Sequence, residues 1–206
     1  MIINIARKPV EEYKTLVIDP PWKLCTGGKA SLAVHAHYKV QTQKEIITTV
    51  TSWLDNHNIA EEAHIYIWCV NSFSAGQCRG ILDAVDLCEK IGFRPVTLLV
   101  WKKDNSNPTP YGQRITEVCL FGAKWRKGQH KRVMYKGTGE DENVAGKGLL
   151  TSVDFLEFSR REHSRKPDEF YTYVEKRSEY PYLEFYSRCE RFGWTSVGNE
   201  TEKFSS

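Results

Sequence analysis

An aspartate, two prolines and a tryptophan, Asp19-Pro20-Pro21-Trp22, close the short apolar run Thr15-Leu16-Val17-Ile18. These four residue types in succession can do chemistry on a flat ring that carries an amine. Neither proline has an N–H to give to a sheet, and each restricts the residue before it, so together they end the strand and fix the direction of the Asp19 carboxylate and the Pro20 carbonyl. Trp22 then offers a large aromatic face. An exocyclic amine such as N6 of adenine is a poor nucleophile, because its lone pair is delocalised into the ring. Acceptors on both of its N–H bonds favour the pyramidal amine and stabilise the positive charge that develops as a new bond forms. The plainer alternative is a strand ended by a proline turn, with Trp22 filling the core.

The elements needed to position that turn are legible nearby. Leu16, Val17 and Ile18 read as a strand buried on both faces, which puts Asp19 at the carboxyl end of a central strand, where open α/β sheets bind ligands. Thr42-Gln43-Lys44-Glu45 has capping-box spacing, and Ile46, Val50, Trp53 and Leu54 recur on one face of the helix it starts, which Asn56 and Asn58 end. His64–Val70 is a second buried strand. Ser72 or Ser74 caps a helix carrying Ile81, Leu82, Val85 and Cys88, closed by Gly92. Val96–Trp101 is a third strand, and this alternation predicts a mainly parallel sheet with right-handed crossovers and helices on both faces. Met1–Ile5 reads as an edge strand, residues 23–37 as a mobile loop beside the turn, and residues 102–113 as a polar Pro/Asn loop. Ile115–Phe121 is a further strand. Glu117 interrupts it, and the plain reading packs Glu117 beside Arg114. Pro167 opens a helix with Asp168 and Glu169 in its first turn and Lys176-Arg177 at its end, and strands follow at Tyr182–Tyr186 and Trp194–Val197.

Composition sets bounds without naming a partner. The 206 residues suit one domain, 1–206, and 40% hydrophobic with 27% charged residues is ordinary for a globular protein. A net charge of +3 announces no nucleic-acid binder, so any basic surface is local. The six cysteines form no C-x-x-C and no zinc-spaced cluster, and read as reduced, buried thiols of a cytosolic protein; no metal site is expected. Neither a signal peptide nor an 18-residue apolar stretch occurs. Residues 124–148 interleave lysines and arginines, Lys127, Lys131 and Arg132 among them, with Trp125 and Tyr135. That pattern suits a phosphate backbone with stacked bases, or simply a solvated excursion. Lys23, Lys102 and Arg114 are further basic candidates. Lys166, just before a helix N-terminus, could hold a carboxylate together with free backbone N–H groups.

Taken together, D-P-P-W at 19–22, H-S-R-K-P-D-E-F-Y at 163–171, L-E-F-Y-S-R at 183–188 and F-G-W-T-S-V-G-N-E at 192–200 are similar to the motifs of the MT-A70 family of S-adenosylmethionine-dependent N6-adenine methyltransferases. The resemblance runs from about Leu16 to Glu200 and implies a Rossmann-like α/β methyltransferase fold with permuted motif order. It implies that Asp19, Pro20, Pro21 and Trp22 hold the target adenine, with a duplex base flipped out. It further implies cofactor contacts from Ile18 and Asp19 at the strand end, from Lys166 to the methionine carboxylate, from Arg188 near the ribose, and from Asn199 and Glu200 near the ribose and adenine. Glu190 and Arg191 replace a His-Asn pair of the mRNA enzyme, so that contact is not carried over. The compact chain resembles prokaryotic and phage members, which implies DNA as substrate and a cytoplasmic location (the host's, if phage-encoded). RNA is the alternative substrate, and a non-catalytic nucleic-acid-binding subunit the alternative class. A homodimer or a partner subunit is compatible with either.

Overall fold

The computed structural model describes residues 12–23, 40–73, 78–109, 112–125, 155–157, 165–198 and 201. A seven-stranded sheet runs β5-β3-β4-β2-β1-β6-β7. The strands are β1 (Tyr13–Ile18), β2 (Ile59–Cys69), β3 (Arg94–Thr109), β4 (Gly112–Lys124), β5 (Phe155–Glu157), β6 (Tyr182–Phe185) and β7 (Trp194–Val197), and the helices are α1 (Gln43–Leu54), α2 (Ile81–Lys90) and α3 (Asp168–Arg177). β1 lies inside the sheet, between β2 and β6 and parallel to both, while β4 is inserted antiparallel between β2 and β3. The remaining pairs, β3 with β5 and β6 with β7, are parallel, so the sheet is mainly parallel, as expected of a Rossmann-like fold.

Alternation along the strands divides the core in two. Leu16, Ile18, Ile65, Ile67 and Leu183 face Ile46 and Val50 of α1 and Ile81, Ala84, Leu87 and Cys88 of α2. Val17, Tyr66, Trp68, Cys119 and Phe121 face the opposite way, onto Phe170, Tyr171, Tyr173 and Val174 of α3. Both faces of the central strands are thus covered, which is why β1 reads as a continuous apolar run rather than an alternating one.

The capping box forms as its spacing predicts: Glu45 N–H donates to Thr42 Oγ1, and Thr42 N–H donates to the Glu45 carboxylate. Other details differ from expectation. The cap of α2 is Gly80 at φ 56°, not a serine, and the Asp83 carboxylate instead accepts from the Arg79 N–H and guanidinium. Leu82 is 40% exposed, because the buried stripe of that helix runs through 81, 84, 87 and 88. Pro167 sits one position before α3, as its N-cap. The polar run after Trp101 is not a loop: β3 and β4 extend past the sheet as one hairpin, with Asn107 opposite Arg114 and Thr109 opposite Gly112, after an irregularity between Lys102 and Asn107. Cys69, Cys78, Cys88 and Cys119 are buried free thiols, Cys189 is a half-buried one, and Cys25 lies outside the described residues. No helix among the described residues is long and apolar enough to cross a membrane.

Candidate active site

The turn at the end of β1 is held from three sides. The Asp19 N–H donates to the Phe185 carbonyl of β6 (3.4 Å), and the Trp22 N–H turns back onto the Pro20 carbonyl (2.9 Å). Trp22 and Gln41 form a parallel bridge, with Gln41 N–H donating to Pro21 O at 2.8 Å and Lys23 N–H donating to Gln41 O at 2.9 Å. Tyr186 donates its hydroxyl to the Gln41 side chain at 2.6 Å and holds a left-handed backbone at φ 62°. Such a conformation in a bulky residue is costly and persists only where its surroundings enforce it.

Trp22 is not the open aromatic face expected of it. Only 7% of it is exposed, it belongs to the α1/α2 side of the core, and its indole N–H donates to the Trp68 carbonyl at 2.8 Å. The plainer sequence reading thus describes its packing, and its role is to anchor the turn. Ile18 needs correcting too. It has no accessible surface and is paired with Ile67 and Phe185 on either side, so its side chain cannot reach a cofactor. What Ile18 does is deliver Asp19 to the sheet edge.

The period of two carries charge to that edge on the α3 side. Asp19 continues the row of Val17, Glu117 the row of Cys119, and Lys103 the row of Trp101. Lys166, in the segment entering α3, reaches over them. Its Nζ lies 3.2 Å from Asp19 Oδ1 and 3.1 Å from Glu117 Oε2, and Lys103 pairs with Glu117 Oε1. The result is a chain of alternating charge, Lys103–Glu117–Lys166–Asp19, crossing from β3 to β1. Two tryptophans floor it: the Lys166 ammonium stands 4.9 Å from the Trp68 ring centre, and that of Lys103 stands 5.4 Å from the Trp101 ring centre. Burial works against the Lys166 charge, but the Asp19 and Glu117 carboxylates outweigh it and hold its pKa above that of an ordinary lysine. Burial likewise pushes Glu117 up, and Lys166 and then Lys103 overcome this and bring it down to about 2. Glu117 therefore pairs with these lysines, and the expected packing beside Arg114 falls on a side chain outside those described.

A second buried carboxylate lies on β6. Glu184 is 4% exposed, accepts from Tyr171 OH at 2.5 Å and from Ser187 Oγ at 3.2 Å, and is raised by burial to about 7 despite Tyr171 and the Arg191 charge. Arg191 stacks its guanidinium 3.5 Å from the Tyr171 ring centre and donates to Asp168 at 2.8 Å.

The expected cofactor side is assembled only in part by described residues. Arg188 is half-buried just after β6, beside the end of β7: Ser187 N–H donates to Val197 O at 3.2 Å. A Cβ on Gly198 would come within 2.8 Å of Ser187 O, so the two strand ends meet at a distance only glycine tolerates. Asn199 and Glu200 follow directly but lie outside the described residues, as do Lys127, Lys131 and Arg132, Met1–Ile5 and most of loop 23–37. Lys102 is exposed at the root of the β3–β4 hairpin, opposite Thr116. The backbone of Arg114 pairs with Asn107, and Lys23 is half-buried beside Gln41. Lys103 and Gln41 escape the sequence reading, and Glu117 enters it only as an interruption of a strand, with no role at the site. The one signal for any of them was a carboxylate in the middle of an apolar strand.

A carboxylate able to accept from an amine, next to an ammonium able to take a carboxylate, suits the amino-acid end of a cofactor and an amine-bearing base at one sheet edge. Among known proteins, residues 13–200 match the family model MT-A70. A protein of Medicago truncatula named N(6)-adenosine-methyltransferase MT-A70-like is 24% identical over 205 residues, and the alignment covers 97% of this chain. The chain spans only 28% of the length of that relative.

Proposed function

From the premise that this chain belongs to the MT-A70 family, we propose that it is an S-adenosylmethionine-dependent methyltransferase acting on N6 of adenine in nucleic acid, with DNA as its substrate. The observation that carries the reading is the Asp19 turn. A carboxylate stands at the carboxyl end of the central strand, with Oδ1 held by Lys166 at 3.2 Å and Oδ2 without a partner among the described residues. S-adenosylmethionine, when bound, supplies an electrophilic methyl group on a sulfonium. Asp19 Oδ2 accepts one N–H of the amine. The Pro20 carbonyl, which already takes the Trp22 N–H, has a second lone pair for the other. With methyl transferred from sulfur to N6, Asp19 would stabilise the charge that N6 acquires, and the surplus N6 proton would pass to water. Two of the three Lys166 donors are spent on Asp19 and Glu117, and the third takes the cofactor carboxylate. Arg188, Asn199 and Glu200 hold the ribose end. The adenine must be single-stranded or flipped out to reach Asp19.

The test is transfer of isotopic label from S-adenosylmethionine to double-stranded DNA, single-stranded DNA and RNA, followed by digestion to nucleosides and mass spectrometry. Label is expected in N6-methyldeoxyadenosine. Asp19→Asn should lower turnover by about 10²–10³-fold with cofactor affinity retained, and near-wild-type turnover would remove Asp19 from the mechanism. DNA is our expectation for the substrate, and the DNA and RNA arms of this assay decide it. The name of the plant relative favours RNA as the second reading, and label in N6-methyladenosine would select it.

A further inference from the structure

Glu117 is the group this mechanism leaves unused. It stands at the sheet edge between two ammonium groups, with Lys103 on Oε1 and Lys166 on Oε2. Lys166 is shared in turn, at 3.1 Å from Glu117 and 3.2 Å from Asp19. A cation held at nearly equal distance from two carboxylates sits where their pulls balance. Those pulls are strong here, because the side chains of Lys166 and Asp19 are only 13% and 17% exposed and little water screens them. If one pull is removed, the ammonium moves onto the remaining carboxylate. On Asp19 it would then compete with the amine for both oxygens, and the carboxylate would lose acceptor strength where methyl transfer needs it.

We propose that Glu117 is a positioning residue for methyl transfer: it holds the Lys166 ammonium back from Asp19, so that Asp19 keeps one oxygen for the N6 amine. Lys103 fixes Glu117 from the far side, and the Trp68 ring beneath Lys166 limits where the ammonium can go. The inference rests on the function proposed above. It also makes a claim that a merely structural ion pair would not, because it separates turnover from cofactor binding. Losing a structural pair would damage both. Losing a counterweight weakens Asp19 while leaving Lys166 charged, with a donor still open to the cofactor carboxylate.

The experiment compares wild type with Glu117→Gln and Glu117→Asp, measuring methyl transfer and, by calorimetry, the Kd of S-adenosylmethionine. Glu117→Gln is expected to lower kcat roughly tenfold with a cofactor Kd unchanged or tighter, and Glu117→Asp, which keeps the charge, to recover part of the loss. In a Lys166→Met background, adding Glu117→Gln should change turnover by less than about twofold, because the residue it acts through is gone. Wild-type kcat in Glu117→Gln, a cofactor Kd weakened along with kcat, or an undiminished loss in the Lys166→Met background would each overturn the inference. Absence of transfer by the wild-type protein to any nucleic acid would instead sink the functional reading. The role of Glu117 in transfer would fall with it, whereas any of the three results above, in an active protein, overturns the role of Glu117 alone.

Discussion

Replacing Glu184 by glutamine should make the protein more stable at neutral pH, although Glu184 is buried and hydrogen-bonded. Its carboxyl group is raised by burial to about 7, against an ordinary value of 4.5. Below 4.5 the folded and unfolded chains both carry the proton. Between 4.5 and 7 the unfolded chain releases it and the folded chain keeps it, so stability falls as pH rises through that window, and above 7 the loss is complete. At about 1.4 kcal/mol per pH unit, the gap is worth about 3 kcal/mol. Glutamine carries no charge at any pH and still offers an oxygen to Tyr171 and a donor to Ser187, so most of the local bonding survives. Urea unfolding of both proteins between pH 4.5 and 8 measures the effect. The two curves should start close together and separate by about 3 kcal/mol in favour of the variant at pH 8. Glu117 has the opposite sign, but its window lies lower, between 4.5 and about 2, and does not overlap. Parallel curves, or a variant less stable at pH 8 than at pH 5 relative to wild type, would show that Glu184 is ionised in the fold and would refute the reasoning.

Two further substitutions test the Trp22 anchor and the glycine cap of α2. Trp22→Phe removes the indole donor to the Trp68 carbonyl and should cost about 2 kcal/mol in urea unfolding, with a nucleic-acid KM that changes little. A rise in KM without loss of stability would instead make Trp22 a contact for the base. Gly80→Ala places a Cβ 2.1 Å from the Ser72 carbonyl oxygen at φ 56° and should destabilise the fold by about 3 kcal/mol, measured the same way. A loss under about 1 kcal/mol would mean that the start of α2 shifts freely.

The buried strands and the Thr42 cap were legible because their signals are local: an apolar run, a period, or a capping pair three residues apart. The Asp19 turn was legible for the same reason, since two prolines dictate it. What escaped depends on partners distant in sequence. Asn107 and Pro108 are poor strand formers, and they lie in a strand because the Gly112–Arg114 side of the hairpin supplies its pairing. Glu117 meets Lys166 across 49 residues of chain, and no local window links the two. Trp22 was misjudged because a tryptophan after a turn looks the same in sequence whether its ring faces a ligand or the core. Only the Trp68 carbonyl, 46 residues away, decides it.

The bridge between Trp22 and Gln41 has a consequence for how this protein can diversify. It clips together the two ends of residues 24–39, so the turn carrying Asp19 is fastened before that segment begins and after it returns. For a segment closed in this way, doubling its length costs only about 0.6 kcal/mol of closure entropy. Insertions, deletions and wholesale replacement between 24 and 39 therefore leave the two anchors of the Asp19 turn, which lie outside that segment, where they are. The length and composition of that stretch are thus free to vary independently of the turn, and a grafted segment there is expected to leave the Asp19–Lys166 pair intact.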